Sequence, residues 1–249
     1  MCMCGIVGYV GNRDASALLL ESLARLEYRG YDSAGMAVHT GSSLSVVKEI
    51  GRIAALTEHI RMNQVHGNTG IAHTRWATHG APTRLNAHPH TNHAKTVAVV
   101  HNGIIENYLE LQDHLLQQGI RCDSETDTEV IAHLMDSYWT GDVLSTVAAV
   151  VAQLQGSFAL AIMCQSDQDH IYLARKDSPL VVGMGEHEMY LASDISALLS
   201  YTNRFFYLED NQIAQVGSDG VRFFDSRLIE KFLEPVTTSL DLLAAEKEG

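Results

Sequence analysis

The run C-G-I-V-G occupies residues 4–8, and its apolar centre between two glycines predicts a buried β-strand close to the start of the chain. The thiol of Cys4 lies immediately in front of this strand. A cysteine that opens a chain carries a nucleophile and a candidate base, its own α-amine, on one residue. Residues 1–3 precede Cys4 here, and while they stay attached that amine is an amide. We interpret Met3-Cys4-Gly5 as the natural start, with Met3 removable and residues 1–2 as an alternative start or an addition.

The bulk composition is that of a globular chain. Of the 249 residues, 46% are hydrophobic and 19% are charged, which can supply a large core and argues against disorder. The formal net charge of −13 would repel phosphate backbones, so nucleic acid is not an expected partner. No apolar run reaches the ~20 residues of a membrane span, and no secretory signal opens the chain. The cysteines form no C-x-x-C pair, which predicts free thiols and a cytoplasmic location.

Periodicity divides the chain into short strands and amphipathic helices. Asp14 is a predicted N-cap for a helix that runs to about residue 28. Thr126 and Glu129 fit a capping box for a helix over 128–139. Strand patterns dominate the second half of the chain. Strand groups separated from helix groups predict an α+β fold in which two sheets pack together with helices outside.

The same patterns set the expected domain organisation. We expect one domain over residues 4–226, followed at 227–249 by a segment that has an apolar stripe, a charged end and the character of a linker. A polar stretch without periodicity lies inside the domain at 76–95. A segment of that kind is typical of a functional loop.

Histidines are concentrated in this polar stretch, where His88, His90 and His93 lie close together. Their H-x-H spacing does not match a standard zinc framework, and no cysteine lies nearby in the sequence to complete a tetrahedral set. We therefore predict no metal site and no cofactor.

Six segments are more specific together, and in this order, than any one of them alone. They are C-G-I-V-G at 4–8, E-Y-R-G-Y-D-S-A-G at 27–35, H-T-R-W-A-T-H-G at 73–80, N-A-H-P-H at 86–90, H-N-G-I-I-E-N at 101–107 and S-E-T-D-T-E at 124–129. In these segments the chain resembles the N-terminal glutaminase domain of the glucosamine-6-phosphate synthases, which are class II glutamine amidotransferases. The run at 27–35 favours the aminosugar synthases over the purine-pathway and asparagine-forming relatives.

The resemblance implies a fold and a reaction. The fold would be a four-layer αββα sandwich of the N-terminal-nucleophile (Ntn) hydrolase type, with mainly antiparallel sheets. Cys4 would attack the side-chain amide of L-glutamine and release ammonia, with its α-amine moving the protons. Residues 227–249 would then lead to a sugar-isomerase domain, outside this sequence, that converts fructose 6-phosphate to glucosamine 6-phosphate. The full-length enzyme would be a homo-oligomer.

Five residues suit the two ends of glutamine and its reacting amide. Arg75 offers a planar fork to the α-carboxylate and Asp127 can pair with the ammonium, although a surface charge and a helix-start residue are the plain alternatives. Asn102-Gly103 is typical of a hairpin turn and also suits an oxyanion hole, and Cys4 alone could be a small buried hydrophobe. In the family, the matching positions bind the carboxylate, bind the amine, form the oxyanion hole and supply the nucleophile.

The resemblance assigns further roles around the glutamine. Trp76, Thr78 and His79 would form a loop that covers the substrate and excludes water. His88 matches a position in the glutamine site, and Arg29 matches one that organises the nucleophile end. Two alternatives stay open. One is a glutamine-binding module that is inactive because its N-terminus is masked, and the other is the glutaminase domain of an amidotransferase with a different acceptor.

Overall fold

The predicted first strand forms as expected and lies inside a sheet. In the computed structural model, which describes residues 4–27, 30–76 and 80–239, strand β1 spans Gly5–Val10 and all of its residues are buried. It pairs antiparallel with one strand on each side. Its glycines and hydrophobic side chains therefore fit a position that is covered on both faces.

Within the described residues, eight strands form the first sheet. Across the sheet they follow the order β15 (Val236–Thr237), β11 (Arg204–Tyr207), β9 (Val181–Met184), β10 (Met189–Ala192), β1, β4 (Thr69–Arg75), β2 (Ser33–His39) and β3 (Leu44–Ile50). The ladders between these neighbours are antiparallel.

The same part of the chain provides seven strands for the second sheet. Their order is β14 (Glu230–Lys231), β13 (Gly220–Phe224), β12 (Gln212–Gly217), β8 (Asp167–Lys176), β7 (Gly156–Cys164), β6 (Val97–Ile105) and β5 (His90–Thr91). These ladders are antiparallel as well.

Hydrophobic side chains form one core between the two sheets and one on the outer face of each. The first outer core packs the helices α1 (Ala15–Ala24) and α2 (Ile53–Asn63) on the first sheet. The second packs α3 (Tyr108–Gln117), α4 (Glu129–Ser137) and α5 (Val143–Val151) on the second sheet. The layer order confirms the predicted α+β fold, a four-layer αββα sandwich with antiparallel sheets.

The first helix begins where the sequence predicts. The Asp14 carboxylate accepts a hydrogen bond from the backbone N–H of Ser16 at 3.1 Å, as expected of an N-cap. The helix ends at Ala24, before residue 28, which lies outside the described residues. None of the described helices has the length and apolar character needed to cross a membrane.

The predicted capping box at the start of α4 is wrong. Thr128, not Thr126, is the N-cap, and its side chain makes no cap hydrogen bond. Glu129 accepts instead from the backbone N–H groups of Asp123 and Ser124. The loop before α4 folds back over the helix, so the carboxylate satisfies donors of the loop rather than the donor that a capping box supplies.

Candidate functional site

Cys4 lies directly in front of β1, beside the end of β4. The two strands pair with Gly5 opposite Thr74, so the chain that leaves β4 passes next to Cys4. The backbone N–H of Trp76 donates to Cys4 Sγ at 3.3 Å, and the carbonyl oxygen of Trp76 lies 3.7 Å from the same sulfur. A backbone N–H that donates to sulfur stabilises negative charge there. The half-buried thiol is thus held at a strand end.

Asn102 reaches Cys4 from the other sheet. It is buried within β6, and its Nδ2 donates to the carbonyl oxygen of Cys4 at 3.2 Å. Its Oδ1 accepts a hydrogen bond from His73 Nε2 at 2.9 Å. His73 belongs to β4, so a strand of the first sheet orients a side chain of the second. The reversed amide would set two oxygens against each other at Cys4, and the amide nitrogen therefore faces the backbone carbonyl of Cys4.

His73 can hold Asn102 in this way because it is uncharged. Burial lowers the pKa of His73 to about 3, so the ring is neutral near pH 7. A neutral imidazole has one N–H, and the bond to the amide oxygen places that proton on Nε2. Among the described residues, buried Nδ1 of His73 has no hydrogen-bond partner. The ring therefore acts as a fixed donor.

Asn102 and Gly103 do not form a hairpin turn, so that interpretation is wrong. Both lie inside β6, opposite Ala159 and Phe158 of β7. Gly103 has a φ of 130°, and a Cβ added there would lie 2.0 Å from the carbonyl oxygen of Ser157. The strand therefore requires glycine at this position both for its backbone angle and for its contact with β7.

Asp127 connects the segment before α4 to the end of β6. Its Oδ2 accepts from the backbone N–H of Ile105 at 2.8 Å. Its Oδ1 accepts from Thr128 Oγ1 at 3.4 Å and lies 4.0 Å from His101 Nδ1. Ile105 follows Gly103 by two residues along the same strand. Asp127 is thus tied to the strand that carries Asn102.

Arg75 is the last residue of β4 and is buried. Its Nη1 donates to the carbonyl oxygen of Ala81 at 3.5 Å. Its backbone precedes Trp76 directly, so a guanidinium stands one residue away from the backbone groups that contact Cys4 Sγ. The structure therefore places a candidate carboxylate-binding cation on the strand that flanks the thiol.

His88 lies in a group of buried histidines that we call the histidine layer: His73, His88, His90 and His101. The rings of His73 and His88 are 4.2 Å apart, and those of His88 and His90 are 4.7 Å apart. Thr128 Oγ1 lies 3.0 Å from His88 Nε2 and 2.9 Å from His101 Nδ1. Burial lowers the pKa of each of these histidines. The layer therefore supports Asn102 and the Asp127 segment with neutral rings.

Trp76 differs from these residues because its side chain is 45% exposed. A Cβ added to Gly30 would lie 3.0 Å from the Trp76 ring, so the indole covers that glycine closely. Three predicted site residues, Arg29, Thr78 and His79, lie outside the described residues.

The roles of His73, His101 and Thr128 were not predicted from the sequence. Alternation along β4 could have indicated His73, because it shares a strand face with Arg75 two residues later. No spacing rule relates His73 to Asn102, since the two lie in different sheets. Contacts of that kind become visible only in the folded sandwich.

Two facing antiparallel sheets between helix layers, with a cysteine in front of the first strand, are the architecture of the Ntn amidotransferases. Two solved structures show the same fold. The glutamine phosphoribosylpyrophosphate amidotransferase from B. subtilis aligns with a TM-score of 0.79 at 24% identity, over 91% of this chain and 50% of that chain. An allosteric regulatory enzyme of purine biosynthesis aligns with a TM-score of 0.80 at 25% identity, over 90% of this chain and 49% of that chain.

Residues 73–200 match the family described as "Glutamine amidotransferase domain", so the chain belongs to that family. It is 47% identical to a glutamine–fructose-6-phosphate aminotransferase (isomerizing) of Clostridium perfringens, over 99% of this chain and 40% of the relative. It is 49% identical to the protein of that name from Thermus thermophilus, over 99% of this chain and 41% of the relative. The chain thus spans about two fifths of the length of these relatives.

Proposed function

We propose that this chain hydrolyses L-glutamine to glutamate and ammonia with Cys4 as the nucleophile. The observation that supports this most directly is the pair of donors at Cys4, the backbone N–H of Trp76 on its sulfur and the amide of Asn102 on its carbonyl oxygen. A thiol beside preorganised donors is the arrangement that acyl transfer needs. Membership of the glutamine amidotransferase domain family supports glutamine as the acyl donor.

In the proposed reaction, Cys4 Sγ attacks the carbonyl carbon of the glutamine side-chain amide, and a carbon–sulfur bond forms. Asn102 Nδ2 and the N–H of Gly103 donate to the oxyanion that results. The carbon–nitrogen bond then breaks, and the proton from the thiol leaves with the nitrogen as ammonia. Water adds to the thioester, the carbon–sulfur bond breaks, and glutamate and the thiol are released.

The proton carrier in this proposal is the α-amine of Cys4. A free α-amine has a pKa of ~7.7–8.0, so part of it is neutral near pH 7.5 and can accept a proton. It becomes available when residues 1–3 have been removed. The proposed activity therefore requires a free α-amine on Cys4.

The remaining site residues would bind the rest of the substrate. Arg75 would hold the α-carboxylate and Asp127 the α-ammonium, so that a zwitterion meets one cation and one anion. The predicted cover of the substrate consists of Trp76, Thr78 and His79. His88 would support the site from the histidine layer, and Arg29 would organise the nucleophile end.

The names of the relatives suggest the fate of the ammonia. We propose that it serves the conversion of fructose 6-phosphate to glucosamine 6-phosphate in a sugar-isomerase region that would correspond to the other three fifths of the relatives. The complete enzyme would be a cytoplasmic homo-oligomer. This chain by itself is then expected to hydrolyse glutamine without forming aminosugar.

Glutamate release tests the proposal in four proteins: the chain that begins at Cys4, the chain that keeps residues 1–3, the Cys4→Ala variant and the Cys164→Ala variant. Intact mass establishes where each chain begins. We expect turnover in the first and in Cys164→Ala, whose thiol is buried in β7, and none in Cys4→Ala. A glutamine-analogue electrophile should label Cys4. Full turnover in Cys4→Ala, or a label on Cys122 or Cys164, would contradict the mechanism.

If the protein keeps residues 1–3 and binds glutamine without turnover, the inactive glutamine-binding module with a masked N-terminus is supported instead. Equilibrium binding of glutamine to Cys4→Ala, Arg75→Lys and Asp127→Asn tests the substrate contacts that both alternatives share. We expect Cys4→Ala to bind glutamine and the other two to bind it more weakly, because a charged contact to the amino acid is distorted or lost.

A further inference from the structure

A second group of chemistry-bearing side chains lies at the start of α4 and shares no residue with the Cys4 site. Cys122, Glu129 and His133 each offer one ligand atom, and these three atoms lie within 4.8 Å of one another. Glu129 and His133 are buried, and Cys122 is half-buried. We call these three residues the α4 cluster.

The fold explains why they meet. Glu129 and His133 stand four residues apart on α4, so they share one face of the helix. The Glu129 carboxylate accepts the backbone N–H groups of Asp123 and Ser124, which folds the preceding loop back onto the helix. Cys122 is the next residue outward on that loop, and its sulfur is thereby carried to the carboxylate and the ring.

The distance between the two buried ligands suits a small metal ion. His133 Nε2 lies 3.3 Å from Glu129 Oε1. Nitrogen and oxygen ligands at ~2.0–2.2 Å from a tetrahedral zinc ion are about 3.3–3.5 Å apart. The pair therefore needs little movement to bind one ion between them.

The charges of the cluster favour a cation. The Glu129 carboxylate accepts hydrogen bonds from the backbone N–H groups of Asp123 and Ser124, and these donors stabilise its negative charge. A divalent ion favours the thiolate form of a cysteine that it binds.

We propose that Cys122 Sγ, a Glu129 carboxylate oxygen and the Nε2 atom of His133 bind Zn²⁺, with the fourth position toward solvent on the Cys122 side. One thiolate, one carboxylate and one neutral imidazole carry two negative charges, which Zn²⁺ neutralises in a partly buried place. Mixed sulfur, nitrogen and oxygen ligands favour zinc over magnesium or calcium. Binding releases the thiol proton and replaces the hydrogen bond between His133 and Glu129.

This site would act on the loop rather than on the reaction. The ion would fasten residues 122–124 to α4 next to Asp127, which the proposed function uses as an ammonium ligand. The inference does not rest on that function, because none of its three ligands belongs to the Cys4 site. The histidines that the sequence analysis considered for a metal, His88, His90 and His93, are not its ligands.

Cobalt binding tests the site in the Cys4→Ala chain, in which the candidate nucleophile cannot supply a competing thiolate. Co²⁺ replaces Zn²⁺ in such sites, and a thiolate ligand gives it a charge-transfer absorption that surface histidines cannot produce. We expect the band to saturate at one Co²⁺ per chain and to disappear when Zn²⁺ is added. No band, or a band that Zn²⁺ does not remove, would overturn the proposal.

Variants in the same background assign the ligands. Cys122→Ser should lose the band, whereas Cys164→Ala, which removes a buried thiol elsewhere, should keep it. His133→Gln keeps an N–H donor for Glu129 but loses the imidazole, and should bind Zn²⁺ more weakly with unchanged circular dichroism. Zn²⁺ should raise the thermal midpoint of the Cys4→Ala chain and not that of Cys122→Ser. An unchanged band in Cys122→Ser would refute the assignment.

Discussion

The histidine layer and the α4 cluster both bury imidazoles, yet they have opposite electrostatic character. In the layer, rings pack against rings and against the Thr128 hydroxyl, Asp127 Oδ1 lies 4.0 Å from His101 Nδ1, and burial lowers the pKa values of all four histidines. In the α4 cluster, a buried carboxylate whose pKa is about 2 stands 3.3 Å from the ring. The two regions thus differ in how closely a carboxylate contacts a ring, and this contact makes the α4 cluster the candidate place for a cation.

The largest expected effect separates the two regions by activity. Asn102→Ala removes the amide that the histidine layer orients toward Cys4. We expect kcat for glutamine hydrolysis to fall about 100- to 1,000-fold, the effect of losing one oxyanion donor, with little change in KM. Cys122→Ser in the α4 cluster serves as the control and should leave kcat unchanged. Equal losses in both variants would show that the effect is structural.

A smaller loss of activity should follow when the layer loses its donor. His73→Leu leaves Asn102 Oδ1 buried without its hydrogen bond, at a cost of about 1–3 kcal/mol, and frees the amide to reverse. That cost falls on the free energy of unfolding. We also expect kcat to fall, by less than the roughly 100-fold loss expected of Asn102→Ala, because a reversed amide no longer donates to the oxyanion. His73→Gln offers an N–H in place of Nε2 and should restore part of the rate. Because the pKa of His73 is about 3, the pH–rate profile above pH 5 should keep its shape in His73→Gln.

The pH dependence of the free energy of unfolding also distinguishes the histidine layer from the α4 cluster. The pKa of His73 falls from 6.5 in the unfolded chain to about 3 in the fold. Its contribution to the free energy of unfolding is therefore fully present above pH 6.5 and is lost as the pH falls toward 3. The pKa of Glu129 falls from 4.5 to about 2, so its contribution to the free energy of unfolding is lost as the pH falls from 4.5 to 2. Urea unfolding should show a decline that starts near pH 6.5, with a slope of at most about 1.36 kcal/mol per pH unit for each histidine. In His73→Gln, the free energy of unfolding should vary less with pH between pH 6.5 and 5.

The smallest expected effect concerns the reactivity of Cys122. Its pKa of about 12 keeps it protonated at pH 8, so alkylation in metal-free buffer should be slow and should accelerate with rising pH. Glu129→Gln removes the nearest negative charge and should increase the rate at pH 8, as followed by peptide mass spectrometry. Cys164 lies in the core and should remain slow in both proteins. No change at Cys122 would show that burial alone sets its pKa.

Strands and helices were predictable because periodic hydrophobic patterns record which face is buried. The strand predicted from C-G-I-V-G at 4–8 and the cap at Asp14 are confirmed for that reason. The hairpin alternative for Asn102-Gly103 is wrong because a local turn preference competes with the ladder to β7, and the ladder prevails. The predicted capping box is wrong for a similar reason, because the backbone N–H groups of Asp123 and Ser124 donate to the Glu129 carboxylate instead.

The candidate site was only partly predictable. Cys4, Arg75, Asn102 and Asp127 were selected from chemistry and resemblance, and the structure joins Cys4 to Asn102 directly. The residues that position them, such as His73, were not predicted because hydrogen bonds between two sheets leave no periodic pattern in the sequence. Cys122 was not predicted as a metal ligand for a related reason. A carboxylate that folds a loop back onto its own helix brings together residues whose spacing matches no metal motif.

The tail of the described chain has a consequence for solubility. Beyond the predicted boundary at residue 226, β14 pairs with β13 at one edge of the second sheet, and β15 pairs with β11 at one edge of the first. Each of these outer strands is two residues long, and such short strands offer few open backbone groups to another chain. A protein cut at residue 226 would uncover both edges at once and become prone to self-association, so the predicted domain boundary is an unsuitable place to truncate.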